Sequence, residues 1–173
     1  MSLENLIANS EAKSQTYFFK KDSFQIINDE MIQWLENIAN KEKSTVRICM
    51  HPNSEEQLHN MIISHYKGNY IRPHANFQKA KTYQILNGSV LMIFLDENAN
   101  EINRITLDEK ESKICRVEKG TFILLIPLTT IVTFHEIALG PFLRDKDTIF
   151  ADWSPSSGTK EIDLFLNNYG VSL

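Results

Sequence analysis

The chain has only two cysteines in 173 residues, Cys49 and Cys115. Their spacing fits neither a disulfide framework nor a zinc knuckle. Two small side chains kept reduced are the plain reading, and with it a cytoplasmic location is expected. A surplus of positive charge is also missing: 18 Lys and Arg stand against 22 Asp and Glu, for a net charge of −4. That balance argues against nucleic acid or an anionic membrane as partner. No apolar run approaches the roughly 18 to 20 residues of a spanning helix. The opening MSLENLIANSEAKSQ has no charged-then-apolar order, so no signal peptide is expected. Internal repeats, low-complexity tracts, Gly-rich phosphate loops and a serine nucleophile elbow are absent as well.

What remains is of ordinary globular composition, 42 % hydrophobic and 23 % charged, and long enough for one domain with its own core. Residues 1–22 are polar and irregular except for Tyr17, Phe18 and Phe19, which suit a docked strand. Asn28 or Asp29 can cap a helix in which Met31, Trp34, Leu35 and Ile38 recur at helical spacing. The helix should end near the Lys-Glu-Lys run at 41–43.

From residue 45 to about 150 the period changes to two. Val46, Ile48 and Met50 share one face of a strand, and Arg47, Cys49 and His51 share the other. Gln57–Tyr66 is a second strand, with His59, Met61, Ile63 and His65 on one face. Tyr70–Asn76 is extended, although Pro73 limits it to an edge or an irregular pairing. Asn87-Gly88 between Thr82–Leu86 and Ser89–Asp96 is a strong hairpin signal. Glu101–Leu107, Phe122–Ile126, Thr130–Ile137 and Thr148–Trp153 follow, and Glu161–Tyr169 suits a short helix. Many short strands with frequent turns imply a sandwich or small barrel.

The informative stretch runs from Gly68 through His74, Asn76 and Lys81 to Gly88. It resembles the first cupin motif, G-x5-H-x-H-x3,4-E-x6-G. Gly68, His74 and Gly88 are in place; Asn76 replaces the second His and Lys81 the Glu. The second motif, P-x-G-x2-H, resembles Glu118-Lys-Gly120-Thr-Phe-Ile123, with Ile123 replacing its His. Over residues 45–156 the chain is similar to the WbuC-like cupin family. The matching segments are Arg47-Ile-Cys-Met-His51-Pro, His59-Asn-Met61, Tyr70-Ile-Arg-Pro-His74, Phe94-Leu-Asp96, Phe134-His-Glu136, Gly140-Pro141-Phe142 and Thr148–Pro155.

The resemblance implies a mainly β, cupin-type jelly-roll barrel at 45–156. The N-terminal extension and helix (1–44) would pack on it, and 157–173 would form a tail or short helix. It also implies company with surface-polysaccharide genes and a homodimer. The usual metal ligands of the fold map to His74, Asn76, Lys81 and Ile123. An ammonium offers no lone pair and isoleucine no donor, so no metal or other cofactor is expected.

If Lys81 points inward, Arg72 and His74, two apart on a strand, converge with it on an anion; the alternative is that Lys81 runs out to solvent along its stem. Arg47, His51, His59, Asn76 and His135 complete the candidate ligand-binding set. The expected function is the binding of a small anionic carbohydrate or metabolite. An alternative is a metal-independent sugar epimerase or isomerase, with His59, His51 or His135 as base and Tyr83 or Lys81 as acid. A divalent metal held by His51, His59, His135 or His74 is the third reading, and a ligand-free structural subunit the fourth. His135 and Glu136, being adjacent, should point to opposite faces.

Overall fold

The computed structural model of the chain describes residues 3–10, 12, 14–20 and 22–173, with the side chains of all of these but Arg144 and Asp145. Positions 1, 2, 11, 13 and 21 of the polar N-terminal stretch lie outside the described residues.

A 3-10 turn (Leu3–Asn5) leads into β1 (Leu6–Ala8) and β2 (Gln15–Phe19), then α1 (Asp29–Glu42) and β3 (Thr45–Cys49). The barrel continues with β4 (Leu58–Tyr66), β5 (Ile71–Ala75), β6 (Lys81–Asn87), β7 (Val90–Leu95) and β8 (Glu101–Leu107). It is completed by β9 (Ile114–Val117), β10 (Phe122–Pro127) and β11 (Ile131–Leu139). A single turn α2 (Arg144–Asp147), β12 (Ile149–Phe150) and α3 (Ile162–Asn167) end the chain. One sheet has the order β1-β2-β3-β4-β11-β6-β9 and the other β12-β5-β10-β7-β8. Two packed sheets with crossovers between them make a mainly β jelly-roll barrel of the cupin type, with a helix ahead of it and a short helix behind.

Helix α1 decides which residues face the interior. Asn28 caps it, its side-chain oxygen accepting from the Met31 N–H at 3.0 Å. Met31, Leu35 and Ala39 pack with Val46, Ile48 and Ile62 on the outside of the first sheet. The alternating residues of β3, Arg47 and Cys49, are thereby turned into the barrel. Between the sheets lie Ile63, Tyr83, Ile85, Met92, Leu125, Val132 and Phe134. A third cluster joins Ile93, Leu95, Leu124 and Ile126 to Ile162 and Leu166 of α3. Strands β7 and β10 are therefore covered on both faces, which is why they read as unbroken apolar runs rather than alternating ones.

The Asn87-Gly88 turn joins β6 to β7. Gly88 has φ +78°, and a Cβ there would lie 2.6 Å from the Ile131 carbonyl oxygen. Gly88→Ala is expected to cost about 2–4 kcal/mol, from the left-handed backbone and the crowding together. Urea denaturation measures it, and a loss under about 1 kcal/mol would contradict the tight packing of this turn.

Pro73 falls in an irregular pairing. Ile123 of β10 pairs with His74 and Leu125 with Ile71, so β5 carries one extra residue. Strand β9 escapes the sequence pattern because its four residues sit among charges. No helix among the described residues is long and apolar enough to cross a membrane.

Candidate functional site

Strand β11 delivers Val132, Phe134 and Glu136 to the barrel interior in strict alternation. The first two belong to the apolar core; the third carries a charge into it. In register, Glu136 lies between Met61 of β4 and Tyr83 of β6. Lys81, two residues before Tyr83, shares its face and reaches Glu136 with Nζ 3.0 Å from Oε1. Both side chains are largely buried, 16 % and 11 % exposed. Burial pushes the Glu136 carboxyl up, but Lys81 and Arg47 outweigh it and hold the group below the usual carboxylate range.

Besides Arg47, the polar groups around this pair include Tyr83 and Cys49. The Tyr83 hydroxyl is buried beside the Glu136 carboxylate. Burial and the Glu136 charge push its ionisation well above the ordinary phenol value. The Cys49 thiol is pushed up to about 12, chiefly by burial, so it stays protonated and inert as a nucleophile.

His74 Nδ1 lies 3.0 Å from the Arg72 carbonyl oxygen. A carbonyl only accepts, so Nδ1 carries the proton and Nε2 keeps the lone pair. Burial first and Lys81 second lower the His74 pKa to about 4. His65, bonded to Thr45 Oγ1 at 2.6 Å, falls to about 3, again mainly through burial. The Arg47 Nε is buried without a hydrogen-bond partner among the described residues.

His74, Lys81, Tyr83 and Ile123 line a small pocket together with Asn76, Lys79, Glu118 and Thr121. The free space is about 10 Å³, close to what one water needs. Lys79 bonds Asp147 at 2.6 Å and so ties the β5–β6 loop to the segment after β11.

Several expected site residues lie elsewhere. Arg72 does not converge with His74 and Lys81. Its Nε donates to Ser154 Oγ at 2.9 Å, and its Nη2 donates to the Ala151 and Ser154 carbonyls at 2.8 and 3.1 Å. The extra residue in β5 breaks the alternation that would have put Arg72 and His74 on one face. Asn76 Oδ1 accepts from the Gln78 and Lys79 N–H groups at 2.8 Å each, which makes it a loop cap.

His135 lies on the outer face, its Nε2 3.1 Å from Asn60 Oδ1, while Glu136 points inward. His51 and His59 form a pair of their own, with stacked rings 4.0 Å apart. Four histidines therefore do not converge on a metal, and no group of three His, Cys, Asp or Glu placed to hold one occurs among the described residues. The usual cupin positions do not fit a transition metal either. Asn76 has its oxygen engaged, Lys81 is ion-paired, and Ile123 has no donor. Glu136, which the sequence reading left out of the candidate set in favour of its neighbour His135, is the carboxylate that pairs with Lys81 inside the barrel.

The sequence profile of a family described as a domain of unknown function (DUF6016) matches residues 26–107. No curated protein matches the chain. Among solved structures, the capsular polysaccharide assembling protein CapF from Staphylococcus aureus is similar, with a TM-score of 0.54 at 12 % identity. The match covers 84 % of this chain but 31 % of the CapF chain, so this chain spans about a third of that protein's length. L-Ribose isomerase from Cellulomonas parahominis is similar with a TM-score of 0.52 at 10 % identity, covering 66 % of this chain and 72 % of that one. These likenesses are likenesses of fold.

Proposed function

We propose that this chain is a metal-free cupin that binds a small anionic carbohydrate or metabolite in its barrel, as a carrier, sensor or accessory of surface-polysaccharide assembly. One observation carries the reading. Where the fold ordinarily balances a metal cation with a carboxylate, Lys81 supplies the cation and Glu136 the carboxylate, 3.0 Å apart. Arg47 adds a second positive group, whose Nε has no hydrogen-bond partner among the described residues. The WbuC-like resemblance supports the polysaccharide setting, as does a neighbour named for capsular polysaccharide assembly.

A second reading, a metal-independent sugar epimerase or isomerase, is favoured by His74 and Tyr83 lining one pocket. It is the weaker one. A base lowered to about 4 and a phenol held well above its usual value are poorly matched to proton transfer near neutrality.

The test combines elemental analysis with a thermal-shift screen of sugar acids, sugar phosphates and nucleotide sugars. We expect substoichiometric metal and a raised Tm with at least one anionic sugar. Stoichiometric zinc, iron, manganese or nickel would overturn the metal-free part, and a panel with no binder would overturn the binding part. Solvent deuterium entering a nucleotide sugar would favour the enzyme instead.

A further inference from the structure

A guest much larger than water finds no room in the barrel as it stands, because the pocket beside Lys81 has about 10 Å³ of free space. Some part of the structure must move to admit one. Register shows what covers the Lys81 end. His59 lies opposite Ala138, Ala138 lies opposite Lys81, and β5 finishes at the same end with Ala75. The chain leaves the first sheet at Leu139 and joins the second at Ile149, paired with Ala75. Residues 140–148 therefore cross from one sheet to the other over this end of the barrel.

Polar contacts fasten the crossing at its two sides. On the first sheet's side, the Gly140 N–H donates to the Gln57 carbonyl at 2.8 Å and the Phe142 N–H to the Ser54 carbonyl at 2.7 Å. Gly140 is pressed against His59, for a Cβ there would lie 2.7 Å from Nε2. On the other side one ammonium does the holding. Lys79 Nζ donates to the Pro141 carbonyl at 2.5 Å and to Asp147 Oδ2 at 2.6 Å. That carboxylate oxygen also accepts from the Leu143 N–H at 2.8 Å. Apolar burial adds little, since Phe142 and Leu143 are 41 % and 46 % exposed. Among the described side chains of 141–147 only Asp147 is buried. A segment fastened by polar contacts rather than by packing lies at the low end of local stability.

We infer that residues 140–148 are a gate over this end of the barrel, closed here and latched by the Lys79–Asp147 ion pair. The inference rests on the binding reading above and supplies the way into that site. Loss of the latch favours the open form for a simple reason. Without Lys79 the Asp147 carboxylate is a buried charge with no cation beside it, and opening returns it to water.

Thiol labelling of Cys49 and hydrogen exchange of the full chain, both without ligand, test the gate. Cys49 is 3 % exposed and faces the interior, so a reagent such as Ellman's reaches it only when the barrel opens. Cys115→Ser removes the other thiol. In that background, Lys79→Met should speed Cys49 labelling at least about tenfold. Amide exchange across 140–148 should rise with it, while exchange of β10 stays as it was. Asp147→Asn, which keeps a hydrogen-bonding oxygen, should give a smaller rise. The Cys115→Ser protein by itself is a test should the latch variants not fold. Its labelling rate should be nearly independent of urea well below the unfolding transition, because a local opening exposes little surface. A rate that climbs with urea from the start would mean that only global unfolding exposes Cys49, and would overturn the gate. Unchanged labelling in a folded Lys79→Met protein would overturn it too, as would faster exchange of 140–148 without faster labelling. These rates involve no ligand, so they judge the gate alone; a thermal-shift panel without a binder would remove the binding reading and leave the rates as they are.

Discussion

Glu136→Gln is expected to destabilise the protein by about 3–5 kcal/mol, the cost of leaving a buried charge without its partner. Lys81 loses the carboxylate 3.0 Å from its ammonium, and Arg47 loses a buried negative charge with which it interacts. Lys81→Met should cost less than Glu136→Gln, because Arg47 still stabilises the remaining carboxylate. The double variant is expected to be more stable than the sum of the single losses predicts, with a coupling of at least about 1 kcal/mol. Urea unfolding of the four proteins measures the cycle. Strict additivity, with single losses under about 1 kcal/mol, would show that water already solvates the pair. Because the Glu136 pKa is lowered on folding, its contribution is complete above the unfolded carboxylate value and is lost as pH falls through the folded one.

The fold was legible because its signals are local. Period-two strands, the Asn87-Gly88 turn and the amphipathic stripe of α1 each follow from a few neighbouring residues. The identity of the inward face was legible on β3, where Val46 and Ile48 had to meet the helix and Arg47 had to go the other way.

The site was legible only in part. Lys81 replacing the motif Glu announced a change of charge, but its partner lies 55 positions away on β11 and no spacing rule links them. The clue to Glu136 was the alternation Val132, Phe134, Glu136, which aims it into the barrel as surely as it aims His135 out. Arg72 was misplaced for a different reason. One extra residue in β5 inverts the parity of a strand, and a bulge is fixed by the partner strand's register rather than by the five residues that contain it.

Acid is expected to unfold the protein steeply, and histidine rather than carboxylate sets the range. His51 and His74 are held to about 4 and His65 to about 3, each mainly by burial. A histidine whose folded pKa is lowered takes its proton first in the unfolded chain, near pH 6.5. Stability from these groups is therefore complete above about 6.5. It falls as the pH drops from there toward the folded values, then levels off. Each group contributes a slope of up to about 1.4 kcal/mol per pH unit, so three together reach about 4. Against a total stability on the order of 5–15 kcal/mol, the transition should be centred near pH 5, before Glu136 begins to take its proton. An acid titration followed by circular dichroism locates the midpoint. Urea unfolding at several pH values gives the number of protons taken up. His65→Gln keeps a partner for Thr45 but removes one titrating group, and it should reduce the uptake by about one proton. Stability unchanged between pH 7 and 5 would mean that these imidazoles are already solvated in the folded barrel.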